Sequence, residues 1–200
     1  MSLSKPVERE LAHTRTIICQ GYERKDGLWD IEAQIVDTKP YSFPNKDRGG
    51  QIAADEALHD MKIRLTVDAT LLIHGAEAVT DAAPFNYCTA IHPVYSDLVG
   101  LRIAPGWNQK LKERFGGIQG CTHITELLAT MATAAFQTVG GSIMRRNQFT
   151  DPDPTAIPKH LHTCHALAFT SPVVLAHWPH AYQPPQTVST EEASSEGISI

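Results

Sequence analysis

Two stretches of the chain alternate strictly between apolar and polar side chains, and this alternation restricts the fold more than any other feature. One stretch carries the apolar set Trp29, Ile31, Ala33 and Ile35. The other begins at His59 and carries Met61, Ile63, Leu65 and Val67. A period of two residues places alternate side chains on opposite faces of a β-strand. Both stretches are therefore predicted to be strands with one buried face.

Short turns connect these strands to their predicted neighbours. A β-rich run over 13–20 is separated from the first alternating strand by Lys25-Asp26-Gly27, and Asp-Gly is a frequent hairpin turn. A turn at 68–70 leads into a further strand over 71–80. Such short connections predict antiparallel pairing. Residues 40–57 contain two prolines and a glycine pair, which predict a long loop of the kind that acts as a lid.

Beyond the strands, the period lengthens towards that of a helix. Pro93 suits the first turn of a short helix that ends near Gly100. Apolar residues at intervals of four predict a second helix from Trp107 to Phe115, which Gly116 would end. Both helices precede the most regular helical pattern in the chain.

That pattern covers 124–139, where apolar residues recur at intervals of three and four. Gly140-Gly141 is predicted to end this helix, and Cys164 to Leu175 is predicted to form one more strand. Strands followed by helices predict an α+β fold, a mainly antiparallel sheet with helices packed on one face.

Length and composition predict one globular domain over 1–182, followed by a disordered polar tail over 183–200. The chain has 200 residues, of which 42% are hydrophobic and 20% charged. A net charge of -5 gives no reason to expect nucleic acid or an anionic membrane as a partner. We find no leader sequence and no apolar run long enough to cross a bilayer, so the expected location is the cytoplasm.

Cysteine and histidine are the residues that suggest chemistry. The four cysteines are far apart in sequence, at 19, 88, 121 and 164, so they form no Cys-x-x-Cys pair. In a reducing compartment, such cysteines are buried thiols, ligands or nucleophiles more often than disulfides. Five of the ten histidines lie in the last fifth of the chain: His160, His162, His165, His177 and His180.

A metal site is predicted where elements begin or end. His59 starts a strand on its apolar face, Cys88 ends the strand-rich half, and Cys121 and His123 stand at the start of the long helix. Thiolate and imidazole are common ligands of zinc and ferrous iron, and a helix N-terminus favours the thiolate. We predict a divalent metal, with zinc ahead of iron, bound by His59, Cys88 and Cys121.

Other interpretations of the same residues stay open. Cys121 is also a candidate nucleophile with His123 or His59 as its base. The cysteines can equally be small core residues, and His59 a hydrogen-bonded core histidine. A cluster near the C-terminus either adds a second site or reflects surface composition: His162, Cys164 and His165.

Four segments carry a family resemblance: Tyr22-Glu23-Arg24-Lys25-Asp26-Gly27-Leu28-Trp29-Asp30, Asp37-Thr38-Lys39-Pro40-Tyr41, His59-Asp60-Met61, and Gly120-Cys121-Thr122-His123 with Glu126-Leu127-Leu128. In these segments the chain resembles the bacterial domain-of-unknown-function family 2889. The similarity extends over roughly residues 13–180. The family name implies no activity, so the resemblance identifies a group of proteins without assigning them a function.

A more distant resemblance is to the iron–sulfur cluster scaffold proteins, through the order of elements. Cys88 corresponds in placement to the middle cysteine of the scaffolds, and Cys121 to their last cysteine. Where the scaffolds have Cys-Gly-Asp, this chain has His59-Asp60. The resemblance implies that His59, Cys88 and Cys121 converge, and the missing cysteine favours zinc or mononuclear iron over cluster assembly.

The predicted function is a metal-dependent lyase or hydrolase that acts on a small organic, including an aromatic, substrate. Three protein ligands leave a position open for water or substrate. His123, Asp60 or His92 would then move the proton. The alternatives are a metal or iron–sulfur carrier without turnover, and a metal-free domain that binds a partner. A homo-oligomer is compatible with each of them.

Overall fold

The computed structural model describes residues 3–147, 153, 155–158 and 160–185. The chain divides into two compact units, 1–148 and 149–200, each of which is described by itself. The single domain predicted over 1–182 spans both units. Of the predicted tail, residues 186–200 lie outside the described residues.

The first unit contains six strands: β1 Thr14–Glu23, β2 Trp29–Thr38, β3 Phe43–Asn45, β4 Gly50–Ile52, β5 His59–Val67 and β6 Ile73–Ala82. Four of them form one sheet in the order β1-β2-β5-β6, and every neighbouring pair is antiparallel. The predicted α+β class with a mainly antiparallel sheet is confirmed. The scaffold-like order of elements stays a prediction.

The alternating stretches form the two central strands of this sheet. β2 and β5 pair from Trp29 opposite Val67 to Asp37 opposite His59. The apolar set of each strand is buried, as the two-residue period predicted. The Asp-Gly turn before β2 is also confirmed, because Gly27 has a φ of 86° and the Arg24 N–H donates to the Leu28 carbonyl at 2.9 Å.

The segment predicted as a long loop contains the β3–β4 hairpin. Gly49 and Gly50 have φ values of 75° and 109°, a backbone conformation that favours glycine. The Arg48 guanidinium donates to the carbonyls of Ala57 and Ala83, both at 3.3 Å. This hairpin is therefore tied to the chain just beyond β6.

Two α-helices and two 3₁₀ segments complete the described part of the first unit: the long 3₁₀ segment Asn86–Leu98, α1 Trp107–Phe115, the short 3₁₀ segment Gly117–Gln119 and α2 Thr122–Asn147. The short helix predicted around Pro93 is part of the longer 3₁₀ segment, whereas the prediction for α1 is confirmed. α2 lies across the sheet against β1, β2 and β5. Its buried side chains join those of the central strands in one core: Ile124, Leu127, Leu128, Met131, Ala135 and Val139.

The prediction that Gly140-Gly141 ends α2 was wrong. A glycine inside a helix costs about 1 kcal/mol relative to alanine, which tertiary contacts can offset. Arg145 and Arg146 bond Glu23 at 2.7 and 3.2 Å, and the Arg146 guanidinium lies 5.1 Å from the ring centre of Trp29. These contacts hold the last turns of the helix against the end of β1.

α2 is long and apolar enough to cross a bilayer if length and composition alone are considered. The core helix of a soluble protein meets the same criterion. Ile124, Leu128 and Met131 are fully buried within the core, whereas 28% of the apolar stretch as a whole is buried, so α2 packs on the sheet through one face.

The second unit has a small core of its own, made by Leu161, Val174 and Ala181. It contains α3 Pro172–His177, which begins where Ser171 accepts a hydrogen bond from the Val174 N–H at 3.2 Å. The strand predicted from Cys164 to Leu175 was wrong. Serine at the N-cap followed by proline at the first helical position initiates a helix instead.

Candidate metal centre

The candidate centre lies where one end of the sheet meets the start of α2. Asp37 near the end of β2 stands opposite His59, the first residue of β5. Asp37 has the same parity as the buried residues of β2, so its side chain points to the helix side and is 1% exposed. His123 approaches from the first turn of α2.

These three side chains are close enough to share one ion. Asp37 Oδ2 lies 3.0 Å from His59 Nδ1 and 3.6 Å from His123 Nε2. The two imidazole rings face each other, with their centres 3.8 Å apart and their planes tilted by 33°. Among the described residues, this is the one group of three ligating side chains whose donor atoms all lie within 4.8 Å of one another.

The carboxylate of Asp37 is held from the side of β1. Arg15 donates to both of its oxygens, with Nε to Oδ1 and Nη2 to Oδ2 at 2.8 Å each. His13 Nε2 lies 3.0 Å from Oδ1, and Arg15 Nη1 also reaches Glu126 Oε2 at 2.5 Å. A bidentate pair with arginine fixes the plane of the carboxylate as well as its position.

These contacts keep Asp37 ionised although it is buried. Burial alone would raise the pKa of the Asp37 carboxyl. The hydrogen bonds and charge of Arg15, together with the hydrogen bonds of His59 and His13, outweigh burial and hold that pKa well below its usual range. The site therefore presents a negative oxygen donor at neutral pH.

The two histidines are shifted towards their neutral form. Burial lowers the pKa of His59, and the nearby His123 lowers it further. Burial also lowers the pKa of His123, with Arg15 as the second cause. A neutral imidazole is the form that binds a metal or accepts a proton. The pair is thus ready for either role near pH 7.

Cys121 lies beside this group, on the core side of His123. Its Sγ is 3.9 Å from His123 Nδ1 and 3.7 Å from Met61 Sδ. The backbone of Cys121 is held by the buried Tyr95, whose hydroxyl accepts from the Cys121 N–H at 2.8 Å and lies 3.2 Å from its carbonyl oxygen. The backbone at Cys121, just before α2, is therefore held in position.

In a comparison with known protein families, residues 13–137 match the family described as "Protein of unknown function (DUF2889)". The chain belongs to this family. Asp37, His59, Cys121 and His123 all lie inside the matched region. No curated protein and no solved structure matches the chain, so the distant resemblance to iron–sulfur scaffolds gains no support from these comparisons.

Within the family region, the structure brings together only part of the predicted ligand set. His59 is in the three-residue group and Cys121 borders it. Cys88 is a free thiol on the 3₁₀ segment, which packs along β6, and it is outside the group. Among the described residues, His59, His123 and Asp37 are close enough to hold an ion together, whereas Cys88 and Cys121 of the predicted set lie outside this group.

Of the predicted proton-transfer residues, only His123 belongs to the centre. Asp60 has the opposite parity to His59 on β5, and it accepts a hydrogen bond from Gln34 Nε2 at 2.6 Å on the other face of the sheet. His92 bonds the Thr80 hydroxyl at 2.8 Å, on the side of β6. Neither Asp60 nor His92 is in the three-residue group.

Sequence reasoning missed Asp37, Arg15 and His13, although a signal for them was present. The alternation of β2 continues past Ile35, so Asp37 occupies a position that should be buried. His13, just before β1, and Arg15 on β1 likewise share the parity of Ile17 and Cys19, which pack against the core. A charged residue at a core position needs a hydrogen-bonding or oppositely charged partner. Here His13 and Arg15 are the partners of Asp37.

The histidine-rich part of the second unit forms no comparable group among its described residues. The ring of His162 stacks on Phe169 with centres 4.8 Å apart. Cys164 is exposed. Among the described residues of this unit, the possible second site at His162, Cys164 and His165 has no group of three clustered ligands.

Proposed function

We propose that the protein is a metal-dependent enzyme acting on a small organic molecule, with Asp37, His59 and His123 as its metal ligands. The observation that supports this most directly is the convergence of three donors from β2, β5 and α2 within 4.8 Å. Two imidazoles and one carboxylate form a ligand set of catalytic zinc and of non-haem ferrous iron. Zinc is our first choice of metal and iron the second.

The ligand number favours catalysis over a structural role. Structural zinc sites are closed by four protein ligands, whereas catalytic sites keep a position for water or substrate. A metal in such a position acts as a Lewis acid on a carbonyl or lowers the pKa of bound water. Hydrolysis and lysis of a C–C bond are the two reaction types that we propose.

The residues around the ligands have separate roles in this proposal. Arg15 keeps Asp37 ionised and fixes its orientation. His13 is the proton carrier that we favour, because its ring contacts Asp37 and its side chain is 41% exposed, which gives it access to water. These assignments replace Asp60 and His92, which have other partners.

Metal content tests the proposal. Purified protein reconstituted with zinc and desalted should retain about one zinc per chain by elemental analysis, and His59→Ala and His123→Ala should retain far less. His74→Ala is the matched control, since His74 bonds Asp68 at 3.0 Å away from the centre. Equal zinc in all four proteins, or none in the wild type, would overturn the proposal.

A second candidate function is supported by the position of Cys121. Sγ of Cys121, the ring of His123 and the carboxylate of Asp37 follow one another, with 3.9 Å from Sγ to Nδ1 and 3.6 Å from Nε2 to Oδ2. Thiol, imidazole and carboxylate in this order are the parts of a cysteine nucleophile with an oriented base. In that case activity would survive chelators and be abolished in Cys121→Ser.

The proposal also includes a location for the protein and a way to distinguish an enzyme from a carrier. The four cysteines are all free thiols, which suits the reducing cytoplasm. Assays of the zinc-loaded protein distinguish a carrier from an enzyme. A carrier would transfer its zinc to an acceptor and would convert no small molecule.

A further inference from the structure

Sulfur donors lie directly behind His123, on the side that faces the core. Met61 is the third residue of β5, and its Sδ lies 3.7 Å from Cys121 Sγ at the start of α2. The same Sγ is 3.9 Å from His123 Nδ1. The group differs from the proposed metal centre, which faces His123 Nε2.

The separations of Cys121 Sγ from Met61 Sδ and from His123 Nδ1 suit ligands of a metal ion. With metal–sulfur bonds of about 2.3 Å, the two sulfurs would subtend an angle of about 107° at the ion. With a metal–nitrogen bond of about 2.05 Å, Sγ and Nδ1 would subtend about 127°. Both angles are close to those of trigonal or tetrahedral coordination, so Cys121 is placed to share an ion with Met61 and with His123.

Donor type and charge indicate which ion would bind. Thiolate and thioether are soft ligands, which select Cu(I) over hard cations. A thiolate, a neutral thioether and a neutral imidazole carry one negative charge together, and a monovalent ion neutralises it. Met61 is 1% exposed and Cys121 packs against the core. A divalent ion would leave a net positive charge against the apolar core that surrounds Met61 and Cys121, which is unfavourable.

We propose that Met61, Cys121 and His123 form a binding site for monovalent copper. A thioether–thiol contact also occurs in cores without any metal, so the distinguishing feature is the imidazole nitrogen turned towards the same thiol. The proposal does not require the divalent centre to exist, because Asp37 and His59 take no part in it. The two sites share only the ring of His123, through its two different nitrogens.

Competition for Cu(I) tests the site. Metal-free, reduced protein is titrated anaerobically into the coloured complex of Cu(I) with bicinchoninate, and the loss of colour measures copper uptake. The wild type should withdraw about one Cu(I) per chain. Met61→Leu and Cys121→Ser should bind at least about tenfold more weakly, since each loses one of three ligand bonds.

Met131→Leu is the matched control. Met131 is fully buried in the same core, and its replacement by leucine changes volume equally little, so Cu(I) affinity should equal that of the wild type. Equal affinities in Met61→Leu and Met131→Leu would overturn the proposal, and so would a wild type that takes no copper from the complex. Melting temperatures of both variants show whether either has simply lost its fold.

Two further readouts keep the proposal separate from the proposed function. X-ray absorption at the copper edge should show sulfur neighbours at about 2.3 Å, and a shell of nitrogen and oxygen alone would contradict the site. Zinc retained by Met61→Leu should equal that of the wild type. If no protein binds zinc but Met61→Leu still binds Cu(I) more weakly than Met131→Leu, the proposed divalent centre is refuted and the proposed copper site is supported.

Discussion

At the scale of single residues, the main feature is the buried carboxylate of Asp37, both oxygens of which have hydrogen-bond partners. Asp37 accepts hydrogen bonds from Arg15 on both oxygens and contacts the rings of His13 and His59. A buried charge is tolerated when it is paired and hydrogen-bonded. The same contacts that permit burial also orient the carboxylate towards His123.

Replacing Asp37 with asparagine should therefore destabilise the protein strongly. Asp37→Asn keeps the size of the side chain but leaves Arg15 without its buried counter-ion, at a cost of about 2 to 4 kcal/mol because Arg15 still reaches solvent. Urea denaturation of metal-free protein measures this change. Asp81→Asn, which removes an exposed partner of Lys62, should have a much smaller effect. Equal losses in the two variants would mean that burial of Asp37 is unimportant.

Stability of the metal-free protein should decline in two steps as the pH falls. The pKa values of His59 and His123 are lowered on folding, so the unfolded chain takes up protons first below about pH 6.5 and stability is lost from there downwards. The pKa of Asp37 is also lowered. Its contribution is complete above about pH 4 and is lost below that value.

Urea midpoints measured between pH 8 and pH 3 would show both steps. In His59→Gln the step near pH 6.5 should shrink, because one of the two histidines that resist protonation is gone. The step near pH 4 should stay, since Arg15 still holds the Asp37 carboxylate. A midpoint that stays constant from pH 8 to pH 5 in the wild type would contradict this account.

At the scale of elements, the approach of α2 to the sheet determines the centre, since α2 supplies His123. α2 approaches β1 closely at Gly21, where an added Cβ would lie 1.8 Å from the Thr138 hydroxyl oxygen. That hydroxyl bonds the Ala134 carbonyl at 2.8 Å, so it is not free to move away. Gly21 thus allows β1 and α2 to pack closely.

Two glycine-to-alanine changes should therefore have opposite effects. Gly21→Ala forces β1 and α2 apart and should cost about 1 to 3 kcal/mol. Gly141→Ala meets nothing within 4 Å and improves helix propensity, so it should stabilise by about 0.5 to 1 kcal/mol. Thermal melting of both variants distinguishes them. A destabilising Gly141→Ala would mean that α2 ends before residue 141, as the sequence had predicted.

At the scale of the whole molecule, the first unit contains every part of the proposed chemistry. The main core consists of residues between Trp29 and Val139, with Ile143 among those packed against it, and the proposed ligands lie at its edge. The family match over 13–137 falls within the same unit. The second unit has its own small core around Leu161 and Val174.

The fragment 1–148 should consequently fold by itself. It keeps β1 to β6, α1, α2 and the main core. We expect a cooperative thermal transition and zinc retention equal to that of the full chain, measured on the purified fragment alongside it. An unfolded or insoluble fragment would show that residues beyond 148 contribute to the first core, in contrast to the two separate units seen here.

The sequence by itself determined the positions of the central strands and the α+β fold class. The alternation around Ile31 and Ile63 is a one-dimensional signal, because side chains of a strand are sorted between two faces by parity alone. The Asp26-Gly27 turn and α1 were predictable for the same reason, since turn and helix preferences act over a few neighbouring residues. The sequence also singled out His59 and His123, which lie in the three-residue group, and Cys121, which lies beside it.

Only the tertiary structure decided which ligands meet. The register of β2 on β5 places Asp37 beside His59, and the packing of α2 adds His123; neither the register nor the packing is encoded in local periodicity. The same holds for the far end of α2, where bonds between Arg145 and Glu23, 122 residues apart, carry the helix past Gly140 and Gly141. Long-range contacts override local preferences because each contributes a free energy comparable to the local cost.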